Sequence, residues 1–116
     1  MARRKDESNV EQLTSLGRYS DPAILILTSL AAGPQHGYAL IKDIEEFASV
    51  TLVPGTLYGA LDRLASYGFI ERLPAIERRH PYQITATGIV ALRAYLGSVK
   101  EVAAVATSRL RPLGAL

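Results

Sequence analysis

Apolar and polar positions follow helical spacing over most of the chain and strand spacing over a short part of it. The segment Ala23 to Ala32 is apolar nearly all round, the pattern of a buried central helix. Asp21-Pro22 supplies its start, with Asp21 as N-cap and Pro22 as first helical residue, and Gly33-Pro34 stops it. From about Gly37 to Ala48, Leu40, Ile41, Ile44 and Phe47 recur at three- and four-residue steps while Lys42, Asp43, Glu45 and Glu46 take the other side. This predicts an amphipathic helix. Pro54 opens the next helix, with Leu57, Leu61 and Leu64 as its buried stripe and Gly68 suited to the left-handed position that ends it. Ahead of all three, Ser8-Asn9-Val10-Glu11 is a capping box for a short N-terminal helix with Val10, Leu13 and Leu16 on its apolar side.

The spacing then changes. Phe69 to Leu73 and Pro81 to Thr85 are short β-prone runs, and Pro74 to His80 between them predicts a hairpin with a basic tip. Pro81 cannot donate a ladder bond, so its strand is expected at an edge. Thr85 caps a final helix to about Leu110, along which Ile89, Leu92, Leu96, Val99, Ala103, Ala106 and Leu110 form a heptad seam. Tyr95, Val102 and Val105 widen that seam to a broad apolar face. A helix of about 25 residues is ~38 Å long, more than a domain of this size needs to cover itself. The expected use is homodimerisation, with Leu13 and Leu16 of the N-terminal helix beside the seam; docking of the seam on the helical core is the alternative.

Composition narrows the function. The 116 residues are 48% hydrophobic and 21% charged, which describes one globular domain. No cysteine is present, which excludes a disulfide framework, thiolate zinc sites and cysteine nucleophiles. His36 and His80 are too far apart in sequence to suggest a metal cluster, and neither a phosphate-binding glycine loop nor a Ser-His-Asp set can be assembled. No enzyme, cofactor or metal is therefore expected. The longest uncharged stretch, Pro22 to Ile41, is interrupted by Gly33-Pro34-Gln35-His36, so no membrane span is expected. The basic residues near Met1 have no apolar run behind them, so no secretory signal is read and a cytoplasmic location is expected.

Net charge is only +2, yet residues 20–62 carry −4 and residues 63–116 carry +5. Ten of the thirteen basic residues are arginine, the better fork for phosphate and guanine. This distribution suits a protein that meets a polyanion on one face.

Three helices, a two-stranded wing and a trailing helix describe a mainly α winged helix–turn–helix fold. Residues 1–84 would form the DNA-binding domain with its N-terminal helix, and residues 85–116 the dimerisation helix and tail. In such folds the third helix of the trio enters the major groove of double-stranded DNA and the wing lies on the backbone or minor groove. With the leucines turned inward, Pro54, Gly55, Thr56, Tyr58, Gly59 and Arg63 are the candidate contacts on the reading helix. Arg78, Arg79 and His80 are the candidates at the wing tip. Tyr58 has a second reading, half-packed between reading helix and wing. Tyr38 is expected in the core, and His36 in a loop or at a cap.

Several runs carry a family resemblance: Gly33-Pro34-Gln35-His36-Gly37-Tyr38, the stretch from Val53-Pro54-Gly55-Thr56-Leu57-Tyr58 to Leu64, Tyr67-Gly68-Phe69-Ile70-Glu71, and Tyr82-Gln83-Ile84-Thr85. Together they resemble the PadR family of bacterial transcription regulators over roughly residues 22–96. The sequence departs from the family where Val53 replaces a frequent serine and where the wing reads His80-Pro81-Tyr82-Gln83. The resemblance implies a homodimeric repressor on a palindromic operator. It also implies release by a small aromatic or hydrophobic effector, for which Tyr95 is the candidate contact. The alternative is a winged-helix dimer that serves as a protein-interaction or ligand-binding module without DNA binding. A continuous positive surface joining Tyr58, Arg63, Arg78 and Arg79 discriminates between them.

Overall fold

A computed structural model describes residues 21–116. The expected N-terminal helix, with Leu13 and Leu16, lies outside the described residues. Helix α1 spans Pro22–Leu30; the Asp21 carboxylate accepts from the Ala23 amide at 2.9 Å, and Leu25, Ile26, Leu27, Ser29 and Leu30 are buried. Helix α2 spans Gly37–Ala48 and buries Gly37, Leu40 and Ile44. Helix α3 spans Pro54–Ser66 and buries Leu57, Ala60, Leu61 and Leu64. Val53 provides no side-chain cap to α3, as its hydrocarbon side chain dictates. The helix ends as the sequence predicts. Gly68 takes φ 77°, its amide donates to the Ala65 carbonyl at 3.0 Å, and the Phe69 amide donates to Leu64 at 3.0 Å.

Strands β1 (Ile70–Arg72) and β2 (Tyr82–Ile84) pair antiparallel in the register Ile70 to Ile84, Glu71 to Gln83 and Arg72 to Tyr82. The Pro81 carbonyl accepts from the Leu73 amide at 2.8 Å, but Pro81 cannot return the second bond of that antiparallel pair, and the Leu73 carbonyl is served by the His80 ring at 3.0 Å. A tighter turn lies inside the expected loop, where Ile76 and Arg79 exchange backbone bonds of 2.8 and 3.0 Å. Its central residues, Glu77 and Arg78, both have positive φ, 51° and 69°. Neither is glycine, so the wing tip holds a conformation that costs about 1 kcal/mol or more per residue.

The wing has a third participant. Gln35, in the α1–α2 turn, exchanges two backbone bonds with Tyr82, at 3.0 and 2.9 Å. The Gln35 side-chain amide donates to the Ser29 carbonyl and hydroxyl, and the Ser29 hydroxyl donates to the Asp43 carboxylate at 2.5 Å. One part-buried polar cluster thus joins α1, α2 and, through Gln35, the wing.

Helix α4 spans Ala86–Leu110, followed by a 3-10 turn at Arg111–Leu113. The Thr85 hydroxyl accepts from the Gly88 amide at 3.0 Å and donates to the Gly68 carbonyl at 2.6 Å, so one side chain ties the end of α3 to the start of α4. Only Gly88 and Leu92 of α4 are buried. The rest of the helix extends away from the core, and the described chain measures 54 Å along its longest axis.

Three expectations are corrected. Leu92, placed in the dimerisation seam, packs into the core of its own protomer with Leu25, Leu61 and Ile70. Phe47 shares the buried face of α2 by helical angle but is 46% exposed, while the next residue, Ala48, packs against the core. Tyr38 is exposed: the buried place at the start of α2 is taken by Gly37, and the next residue is turned about 100° away from it.

Candidate nucleic-acid interface

The wing folds back toward the start of α2 and leaves a cleft of about 390 Å³ between them. Its walls come from three sources. The α2 start gives His36, Gly37 and Tyr38, α3 gives Tyr58, and the wing gives Arg72, Arg78, Arg79, His80 and Tyr82.

Tyr58 reaches this cleft because Gly37 lacks a side chain. A Cβ at Gly37 would collide with the Tyr58 hydroxyl, so the phenol rests on the α2 backbone. Its ring stays about half exposed. Both sequence readings of Tyr58 therefore apply in part: it packs against α2 and also presents its ring outward.

Arg72 enters the cleft by strand alternation. Residues 70 and 72 share a face of β1, and Ile70 faces the core; two residues on, the core has given way to the cleft. Tyr82 opposes Arg72 on the same face of β2. Burial pushes the Tyr82 phenol above its ordinary value of 10.0; Arg72 pulls it down, and Tyr58 and Asp62 push it up. It therefore remains a neutral hydroxyl, able to donate, throughout the neutral range.

The basic tip splits its roles. Arg78 and Arg79 are exposed, with side chains in the cleft wall. His80 is held by the hairpin: its Nδ1–H donates to the Leu73 carbonyl at 3.0 Å. The Arg79 guanidinium comes within 3.4 Å of the His36 ring, across 43 residues of sequence.

Of the candidate contacts, Tyr58, Arg78, Arg79 and His80 are brought together here. Pro54, Gly55, Thr56 and Arg63 are exposed on α3 outside the cleft, and Gly59 is half-buried there. Arg63 lies over Gly59, its guanidinium about 4 Å from the place a Cβ would occupy there. The positive surface therefore runs continuously from Tyr58 into the wing, while Arg63 stands apart along α3. Sequence reading missed Arg72, Tyr38, His36 and Tyr82 as cleft residues. For Arg72 and Tyr82 the signal was present, since both stand two positions from a core isoleucine on their strands.

Among the described residues no three His, Asp or Glu side chains gather to hold a metal ion, and no helix is long and apolar enough to cross a membrane. On α4, Ile89, Leu96, Val102, Val105 and Leu110 are exposed, Tyr95 and Val99 are half-buried, and Ala103 and Ala106 face solvent.

Comparison with known proteins places this architecture. Residues 26–94 match the family described as transcriptional regulator PadR-like. A transcriptional regulator from Clostridium thermocellum is 28% identical with a TM-score of 0.67, over 75% of this chain and 87% of that one. A PadR family transcription regulator from Clostridium difficile is 26% identical with a TM-score of 0.69, over 81% of this chain and 99% of that one. An uncharacterized 37.1 kDa protein in transposon TN4556 of Streptomyces fradiae is 41% identical over 71 residues; these are 61% of this chain and only 21% of that protein. The helical trio, the two-stranded wing and the long fourth helix are those of the winged-helix regulators, and the chain belongs to the PadR-like family of transcriptional regulators.

Proposed function

We infer that the protein is a homodimeric repressor that binds a palindromic operator. Two α3 helices would enter successive major grooves about one helical turn, ~34 Å, apart. Pro54, Gly55, Thr56, Tyr58, Gly59 and Arg63 would face the groove, and Arg78, Arg79 and His80 the flanking backbone. The observation that carries this reading is the continuous cationic wall from Tyr58 through Arg72, Arg78 and Arg79. A cluster of three arginines beside the exposed face of α3 supports a polyanion partner for that face. Residues 1–84 would serve DNA binding and residues 85–116 dimerisation, with the first two turns of α4 shared between them.

The exposed apolar side chains of α4 support pairing with a second copy, and Leu13 and Leu16 are assigned to the same contact. Tyr95 on α4 would meet a flat aromatic or hydrophobic effector at that interface. The test is a gel-shift or footprint on the DNA upstream of the protein's own gene. A protected palindrome is expected, and its loss in the Arg78→Ala, Arg79→Ala variant. Equal affinity and salt dependence in that variant would remove the wing from the interface.

A further inference from the structure

We propose that the cleft between the start of α2 and the wing seats one phosphodiester group of the DNA backbone, held by the His36 Nε2–H together with the Arg79 guanidinium. This rests on the DNA-binding reading above and assigns His36 a direct contact.

The argument begins with the His36 ring. Its Nδ1 lies 3.3 Å from the Ala39 amide and accepts from it as the N-cap of α2. A backbone amide only donates, so Nδ1 carries no proton, and the ring proton is on Nε2. That Nε2 lies 3.4 Å from Nη1 of Arg79. A guanidinium also only donates. Two donors therefore face each other across the mouth of the cleft, and neither can satisfy the other. Moving the proton to Nδ1 would let Nε2 accept from Arg79, at the cost of the helix cap. An oxygen that accepts from both removes the conflict and leaves the cap intact.

The surroundings select an anion. Arg72 and Arg78 line the same cleft, and Tyr82 adds a hydroxyl that stays protonated. The cleft opens beside Tyr58 of α3, so a backbone that flanks the groove occupied by α3 passes its mouth. A phosphodiester matches this better than a carboxylate side chain because its chain continues out of the cleft on both sides, along the backbone that flanks the groove.

The test uses the full-length protein and a labelled duplex of about 30 base pairs. Imidazole nitrogen NMR of the free protein should show the Nε2–H form of His36, and duplex DNA should shift that resonance. An Nδ1–H form, or no shift on DNA binding, overturns the proposal whatever the variants do. In His36→Asn the cap acceptor is retained and the Nε2 donor is lost. Its melting temperature should be unchanged and its DNA affinity lower by about fivefold or more, with the salt slope kept because no charge is removed. Arg79→Gln should lower affinity and reduce the log–log salt slope by about 2 per dimer. The double variant should lose clearly less than the product of the two single losses, because both donors serve one phosphate. Multiplicative losses, or a His36→Asn protein with unchanged affinity, overturn the proposal; if the wing variant still weakens binding, DNA recognition itself stands. Inorganic phosphate that shifts His36 while His36→Asn leaves DNA affinity unchanged would make this a free-phosphate site and overturn the DNA assignment. A protein that binds no duplex at low salt overturns both readings.

Discussion

The joint between wing and α4 makes a prediction whose sign opposes ordinary helix propensity. Gly88 is in the first turn of α4, and Gly97 is in the middle of the same helix. In an isolated helix either glycine-to-alanine change should stabilise by about 1 kcal/mol. A Cβ at Gly97 meets nothing within 4 Å, so Gly97→Ala should realise that gain. At Gly88 the added carbon would collide with the Phe69 carbonyl oxygen and stand 2.8 Å from Cγ1 of Ile84. The oxygen belongs to the backbone and cannot rotate away, so the helix must lift from the wing or the Thr85 cap must open. Overpacking of this kind costs about 1–3 kcal/mol, and a backbone obstacle puts it at or above the upper end. After the propensity gain is subtracted, Gly88→Ala should lose about 2 kcal/mol, a fall in Tm on the order of 8 °C or more. Urea and thermal melts at one fixed protomer concentration measure both variants, since dimerisation would make the midpoint concentration-dependent. A Gly88→Ala protein as stable as Gly97→Ala would refute the close approach of α4 to the wing.

Two further outcomes are expected. Ser29→Ala removes the hydroxyl that joins Gln35 to Asp43 in a part-buried cluster and should cost about 1–3 kcal/mol in urea unfolding; no loss would mean that water replaces the hydroxyl freely. Leu96→Asp places a charge on an exposed position of α4, so each protomer should fold normally while light scattering at micromolar concentration reports monomers against a dimeric parent; a dimeric variant would move the contact off this face.

Element boundaries were legible because they depend on local chemistry. Asp21-Pro22, Pro54, Gly68 and Thr85 each act within four residues of themselves, and each stands at the helix end the sequence assigned to it. What the pattern could not supply was where the core stops. Helical angle puts Phe47 beside Leu40, but burial also requires a neighbour across the gap, and only the packed structure shows that in the last turn of α2 it is Ala48, not Phe47, that meets the core. The seam of α4 failed at one position for a related reason. Leu92 fits the heptad by number, yet it is near enough to the wing to be claimed by its own protomer first.

The candidate site was half legible, and the missing half is the part that depends on contacts across the fold. The exposed face of α3 and the basic wing tip follow from periodicity and charge, which are read along the chain. The cleft does not, because the residues that build it come from three separated segments: His36 and Tyr38, Tyr58, and the wing strands. What brings them together is the pair of backbone bonds between Gln35 and Tyr82, which fixes the wing against the α1–α2 turn. That bridge has no sequence signature, since both partners use only backbone groups that every non-proline residue carries. Yet it determines the electrostatics of the site: without it Arg72 and Arg79 would be solvated charges on a free hairpin, and His36 only a helix cap. Of the eight basic residues in the second half of the chain, Arg72, Arg78 and Arg79 line the cleft, and their gathering there is set by a pairing that composition cannot express.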